Sequence, residues 1–174
     1  MPHKTVSLDS PIEQKLAWAQ DCFRDIGNRL LRDASVESLL HSLKRAIGQS
    51  REKMAESDII QICGDCDRNE GGSCCGKGLE NHYSGILLLI NLLMGVELPT
   101  KRRGPSDCYF LGSEGCRLSA RHVICINYAC HKITNRIDSR VLAVLREKEG
   151  RELEYLFFLN ERIIKILRGN TNFS

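Results

Sequence analysis

The chain is predicted to be mainly α, a small helical domain with two irregular, cysteine-rich loops. Three observations predict this. Apolar residues recur at helical spacing near both ends of the chain and again in its middle. Two stretches, roughly 63–78 and 100–131, are punctuated by Gly and polar residues and show no apolar period. No run reads as a strand, since Tyr109-Phe110-Leu111 and Val123-Ile124 are too short to form sheet.

The elements follow in order. Ser10-Pro11-Ile12-Glu13 has the form of a capping box, with Ser at the N-cap and Pro at the first helical position. Leu16, Ala19, Phe23, Ile26 and Leu30 continue that helix. A second helix is expected to start near Ser35, with Val36, Leu40, Leu43 and Ile47 facing inward and Lys44, Arg45, Arg51 and Lys53 facing water. Together they suggest a helical hairpin over 1–57. The segment Cys63 to Gly78 reads as a loop. A helix from about Leu79 to Met94, apolar nearly all round in its second half, is expected to be buried. Gly95 is its expected stop, and Pro99 prevents continuation. A second loop runs from Thr100 to His131, punctuated by Gly104, Pro105, Gly112 and Gly115.

Helical character returns over about 135–168. Ile137, Val141, Val144, Leu145, Leu156, Leu159, Ile163, Ile166 and Leu167 mark its apolar face, with Gly150 placed to kink or split it. Gly169 and Asn170 end it. The chain is read as one domain, 1–174, with a hairpin at 1–57, a cysteine-cluster region at 58–132, and a long helix or helix pair at 133–174.

Length and composition suit one ordinary globular domain, so a core does not depend on external staples. The formal charge of +3 is too small to argue for nucleic acid. The N-terminal residues lack an apolar secretory core, and the longest apolar stretch, Ile86 to Met94, is too short for a membrane span. A cytoplasmic location is therefore expected. There thiols stay reduced, so clustered cysteines point to metal rather than to disulfides; disulfides would require export by another route.

Eight of the nine cysteines lie between Cys63 and Cys130: Cys63, Cys66, Cys74, Cys75, Cys108, Cys116, Cys125 and Cys130. Thiolate sulfur is a soft ligand, suited to zinc or to iron–sulfur clusters. If all eight bind two divalent ions as thiolates, the net charge becomes about −1. The pair Cys63-Gly64-Asp65-Cys66 is expected to form a tight turn directing both sulfurs, and backbone N–H groups, to one ion. A thioredoxin-type redox pair would need a βαβ context, which is not apparent.

The neighbours Cys74 and Cys75 would not ordinarily chelate one ion side by side. Either they face separate ions, or one faces an ion and the other the core, or one is a spectator. The spacings match neither of two common iron–sulfur patterns. Cys22, outside the cluster, is expected only to pack. His82, His122 and His131 are read as structural or solvent-facing, because eight thiols already suffice. Asp65, Asp67, Glu70 and Glu80 are read as solvated or supporting groups. The triplet Lys101-Arg102-Arg103 is read as a solvated basic loop rather than a phosphate or acidic-partner site. Gly71-Gly72 and Gly76-x-Gly78 do not make a phosphate loop.

The run CGDC, then CC, then C-Y-F-L-x3-G-C-R-L and a later cysteine resembles the YkgJ-like cysteine-cluster proteins, a family of zinc- or iron-chelating domains of the CxxCxxCC type. The resemblance covers Cys63 to Cys130. Cys108, Phe110, Leu111, Gly115 and Cys116 fit the outline of its second half. Arg121 stands at the Arg of an Arg-Pro pair, with His122 in place of the Pro, and Leu118-Ser119 replaces an Ile-Tyr. The gap to Cys125 is one residue short, and Cys130 is an addition. The resemblance implies metal chelation and little about reaction. Some relatives are linked to lysine methylation of flagellin, but the chain carries no S-adenosylmethionine signature.

The sequence therefore predicts a cytoplasmic protein binding zinc, or iron, through cysteine thiolates, with helices available to a protein partner that the sequence does not identify. The alternative is an iron–sulfur redox protein or protein-modifying enzyme using the same cluster. Metal storage or delivery is a further reading.

Overall fold

The computed structural model describes residues 6–69 and 74–169. It is mainly α, as expected. Glu70, Gly71 and Gly72 lie outside the described residues.

Helix α1 (Ile12–Leu31) is one residue shorter at its start than the capping box predicts. Pro11 is itself the N-cap, with an extended ψ of 149°, and no side chain caps it. Its carbonyl accepts from Gln14 and Lys15 N–H groups. Helix α2 (Ala34–Glu56) starts on Asp33, whose carboxylate accepts from Ser35 and Val36 N–H groups. That satisfies two of the helix's open donors. The α1–α2 connection is hairpin-tight, but α1 packs mainly on α4 (Gly85–Leu93) and α2 on α7 (Ser139–Gly169).

The predicted helix over 79–94 is two pieces. A 3-10 turn, Leu79–His82, is followed by α4, whose N-cap Ser84 accepts from Leu87 N–H at 3.1 Å. The competing factor is Ser84-Gly85, a strong cap that restarts the helix after Tyr83. Helix α4 is apolar on all sides and is buried. It ends in a Schellman motif: Gly95 N–H donates to Leu92 and Val96 N–H to Asn91, and Gly95 adopts the left-handed φ of 84° that this motif needs. Gly85 has a packing role as well. A Cβ there would lie 2.5 Å from Trp18 Cε3, so its absence lets α1 approach the start of α4.

The second loop holds a small ribbon, β1 (Leu111–Gly112) against β2 (Gly115–Cys116), antiparallel with Leu111 opposite Cys116. Gly115 takes φ 105° at its turn. Short helices α5 (Val123–Asn127) and α6 (His131–Thr134) follow. These pieces escaped sequence reading because they are too short to show a period.

Asn91, fully buried on α4, anchors this loop. Its amide nitrogen donates to Leu87 and Ala120 carbonyls, and its oxygen accepts from Ser119 and Ala120 N–H groups, all at 2.9–3.0 Å. Both donors and both acceptor sites are used.

Helix α7 runs unbroken through Gly150. It starts at Ser139, so Ile137 precedes it, and Val144 faces outward. Its buried face includes two residues that a hydrophobic pattern cannot reveal, Glu149 and Glu152. Arg51 is exposed on the wet face assigned to α2, and its guanidinium also reaches the Leu118 carbonyl at 2.9 Å.

Two apolar clusters result. The larger one gathers α1, α2, α4 and the 108–120 segment around Leu88, Leu89, Ile90 and Phe110. The smaller joins Ile59, Ile62, Ile133 and Leu145. No described helix is long and apolar enough to cross a membrane.

Candidate metal centre

The first cysteine pair is not on a loop. Helix α3 (Ile59–Asn69) contains both Cys63 and Cys66. The sequence reading missed it because Gly64, Asp65 and Asp67 weaken helix propensity. Three things restore it. Ile59 and Ile62 bury into the smaller core. Asp65 and Arg68 pair at 3.0 Å along the exposed side. Asp58, at φ 57°, turns the chain out of α2 and accepts from Ile62 N–H. A spacing of three residues still sets Cys63 and Cys66 on one helix face. Mid-helix N–H groups, however, are committed to the helix rather than to sulfur.

The two cysteine-bearing segments are joined through backbone. Gly76 forms an antiparallel bridge with Asp107. Cys108 N–H donates to Cys75 O and Lys77 N–H to Ser106 O, both at 2.8 Å. Arg103 reinforces this join. Its guanidinium takes both carboxylate oxygens of Asp67 at 2.8 and 2.9 Å, Asp107 at 2.8 Å and Gly112 O at 3.1 Å. Arg102 pairs with the buried Glu80 and donates to Asp107 O at 2.7 Å. The triplet lies on a loop with Lys101 and Arg103 exposed, as expected, but two of its three cations also fasten the site together. Asp65, Asp67 and Glu80 are likewise occupied by arginines.

All nine cysteines are free thiols. The eight sulfurs between residues 63 and 130 fall into two neighbourhoods. Cys63 lies within electrostatic reach of Cys130, Cys75 and Cys66, and Cys74 within reach of Cys75, Cys63 and Cys130. Cys63 and Cys130 pack on the smaller core. Cys108 senses Cys116 and Cys125; Cys116 senses Cys125 and Cys75; Cys125 senses Cys75. These four border the larger core. Cys74 and Cys75 hydrogen-bond to each other where the neighbourhoods meet. Cys22 stands apart, fully buried in the α1 core, where burial pushes its thiol up to about 12.

Five of the clustered thiols, Cys63, Cys74, Cys108, Cys116 and Cys125, hold their protons tightly. Burial raises Cys63, and its thiol neighbours add to the effect. The hydrogen bond with Cys75 raises Cys74, with burial second. Burial pushes Cys108 up to about 12 and also raises Cys116 and Cys125. Arg121 opposes the rise at Cys63, Cys116 and Cys125. Among the described residues, no three His, Cys, Asp or Glu side chains stand in an arrangement able to hold one ion.

Other groups complete the surroundings. Tyr83, buried, donates to Cys125 Sγ at 3.8 Å and accepts from His122 N–H at 3.1 Å. His122 caps α5 by accepting Ile124 N–H on Nδ1, and its ring lies 5.6 Å from that of His82. Burial first, then His82, lowers its pKa. These histidines have structural partners, in keeping with the sequence reading, and His131 is exposed. Lys132 Nζ lies 3.5 Å from Cys66 Sγ. An open cleft of about 550 Å³, lined by Lys101, Arg117, Gly115 and Cys116 among others, reaches the second neighbourhood from solvent. Sequence reasoning missed Tyr83, because nothing local marks it as a partner of Cys125; Arg121 was singled out only through the family outline, without its place beside the thiols.

Comparison with family models, with curated proteins and with solved structures yields no significant match, so the resemblance to YkgJ-like cysteine-cluster proteins rests on the motif residues alone.

Proposed function

We propose that this protein binds metal through two quartets of cysteine thiolates, Cys63/Cys66/Cys74/Cys130 and Cys75/Cys108/Cys116/Cys125, with zinc as the ion. The observation that supports this reading best is the backbone bridge between Gly76 and Asp107, which joins the Cys75 and Cys108 backbones from distant segments. The two sulfur neighbourhoods support the quartets. The junction position of Cys74 and Cys75 suits neighbours that serve separate ions. The resemblance to zinc- or iron-chelating domains points the same way.

The sulfurs do not now stand in ligand geometry. Protonated thiols have no reason to converge. Cys63, Cys66, Cys74 and Cys130, and separately Cys75, Cys108, Cys116 and Cys125, would hold a divalent cation as thiolates, giving up their protons on binding. The step required is rotation of cysteine side chains on segments already joined. Free thiols throughout suit a reducing compartment, so we assign the protein to the cytoplasm. The ions act structurally in this reading, and the helical exterior is left to a protein partner.

The test is purification without oxygen, followed by metal and acid-labile sulfide analysis and a visible spectrum. Two zinc ions per chain and a colourless protein are expected. Cys66→Ser and Cys125→Ser should each remove one ion, and Cys22→Ser none. A brown protein with sulfide would replace zinc with an iron–sulfur centre in redox or protein-modifying chemistry. Bound copper or variable loading would indicate metal delivery. A folded protein that takes up no ion defeats the proposal.

A further inference from the structure

Three arginines, Arg51, Arg121 and Arg146, lie within electrostatic reach of two buried glutamates, Glu149 and Glu152, one cation more than the carboxylates. Glu149 takes Arg146 at 2.7 Å. Glu152, fully buried, accepts from Ser50 Oγ at 2.5 Å and has Arg51 as its electrostatic partner. Arg51 is further held by the Leu118 and Ser119 carbonyls. Arg121 is the remainder. Its side chain makes a weak contact, Nη2 to Met54 Sδ at 3.9 Å. Its Nε is buried without a hydrogen-bond partner among the described residues.

A buried donor on a charged group does not stay unpaired without penalty, so its acceptor matters. Glu152 Oε1 is also unpartnered, but the other oxygen of that carboxylate accepts from Ser50 Oγ, and Arg51 lies within its electrostatic reach. The other groups within electrostatic reach of Arg121 are Glu149, which has Arg146, and the thiols of Cys63, Cys116 and Cys125. Those three come from both neighbourhoods. An ion held by four thiolates carries a net negative charge, which calls for a nearby cation and N–H donors to sulfur.

We propose that Arg121 is the internal counter-charge of the metal–thiolate centre, its Nε–H donating to a metal-bound cysteine sulfur. It is a positioning residue, since it acts on the ligands rather than on the ion. The proposal rests on the metal-binding reading above.

Chelator competition on the full chain tests it, using zinc alone as the probe at fixed pH and salt. Arg121→Gln should weaken zinc about 10- to 100-fold, the range for loss of a supporting partner. Arg121→Lys should recover part of the loss by restoring charge. Cobalt substitution supplies a readout that a purely structural role would not move: the sulfur-to-cobalt charge-transfer band should shift in Arg121→Gln and lie closer to wild type in Arg121→Lys. Should Arg121→Gln fail to fold, nitrogen-15 spectra of wild-type arginine side chains keep the question decidable. The Arg121 Nε–H signal should move downfield on zinc loading. Wild-type zinc binding with unchanged affinity and spectrum in Arg121→Gln, or an Nε–H signal indifferent to zinc, overturns this role and leaves the metal reading standing. A wild-type protein that binds no zinc overturns both.

Discussion

Replacing Asn91 should unfasten the cysteine-bearing loop from the core. The side chain is fully buried and makes four hydrogen bonds, three of them to Ser119 and Ala120. Asn91→Leu keeps volume roughly constant and leaves two N–H groups and one carbonyl of the loop without partners. Each such group costs about 1–3 kcal/mol when buried. Ser119 N is only part-buried and can turn to water. The loss should therefore be about 3–5 kcal/mol, a large share of the ~5–15 kcal/mol typical of a domain. In melting temperature that is a fall of roughly 10 °C for a chain of this size. Asn91→Ala adds a cavity and should lose at least as much. Urea titration followed by circular dichroism, with slopes matched to wild type, measures both variants. If both lose less than about 1 kcal/mol, the loop finds its hydrogen bonds elsewhere and the reasoning fails.

Gly85→Ala should destabilise by about 1–3 kcal/mol, because its methyl would press on Trp18; the fluorescence of this single tryptophan should shift with it. By contrast Gly150→Ala, with open space around its Cβ on α7, should stabilise by about 0.5–1 kcal/mol in the same titration. Asp33→Ala should cost about 1 kcal/mol through loss of the α2 cap. The Arg162 hydrogen bond, chiefly, and the Val36 N–H hold the Asp33 pKa below its ordinary value. Its stabilising effect is thus complete above about pH 4 and disappears as acid protonates the folded carboxylate, so wild type and variant should converge in acid. Cys22, buried and raised to about 12, should resist alkylation at neutral pH until the protein unfolds, as peptide mapping of labelled thiols would show; rapid native labelling would contradict its placement.

The long elements were legible because their signals are periodic. Val36, Leu40, Leu43 and Ile47 face inward as their spacing indicates, and the unbroken apolar run after Ser84 is buried. Local chemistry misled at two points. Ser10 looks like a cap, but Pro11 occupies that position in extended backbone. Gly64 and the flanking aspartates disguise α3, whose stability comes from Ile59 and Ile62 meeting Ile133 and Leu145, residues far away in sequence. The same limit hid the surroundings of the cysteines. Arg103 reads as one member of a basic run until Asp67, thirty-six positions earlier, is found beside it. Glu149 and Glu152 carry no apolar signal, and their burial shows only when Arg146 and Ser50 are found against them. The identity of the cysteines is visible in the chain; their division into neighbourhoods depends on the α3 face and the Gly76–Asp107 bridge, both tertiary facts.

The join between Gly76 and Asp107, clasped by Arg103, separates two properties that small zinc modules usually fuse. Where sulfur–metal bonds alone hold distant segments, stripping the ion unravels the molecule. Here peptide hydrogen bonds and an arginine clasp already meet that entropic demand. If the thiols bind zinc as proposed, exhaustive chelation should leave the helical signal nearly intact, and re-addition of zinc should restore occupancy without a refolding lag. On that reading, the architecture would not depend on how tightly the ion is held.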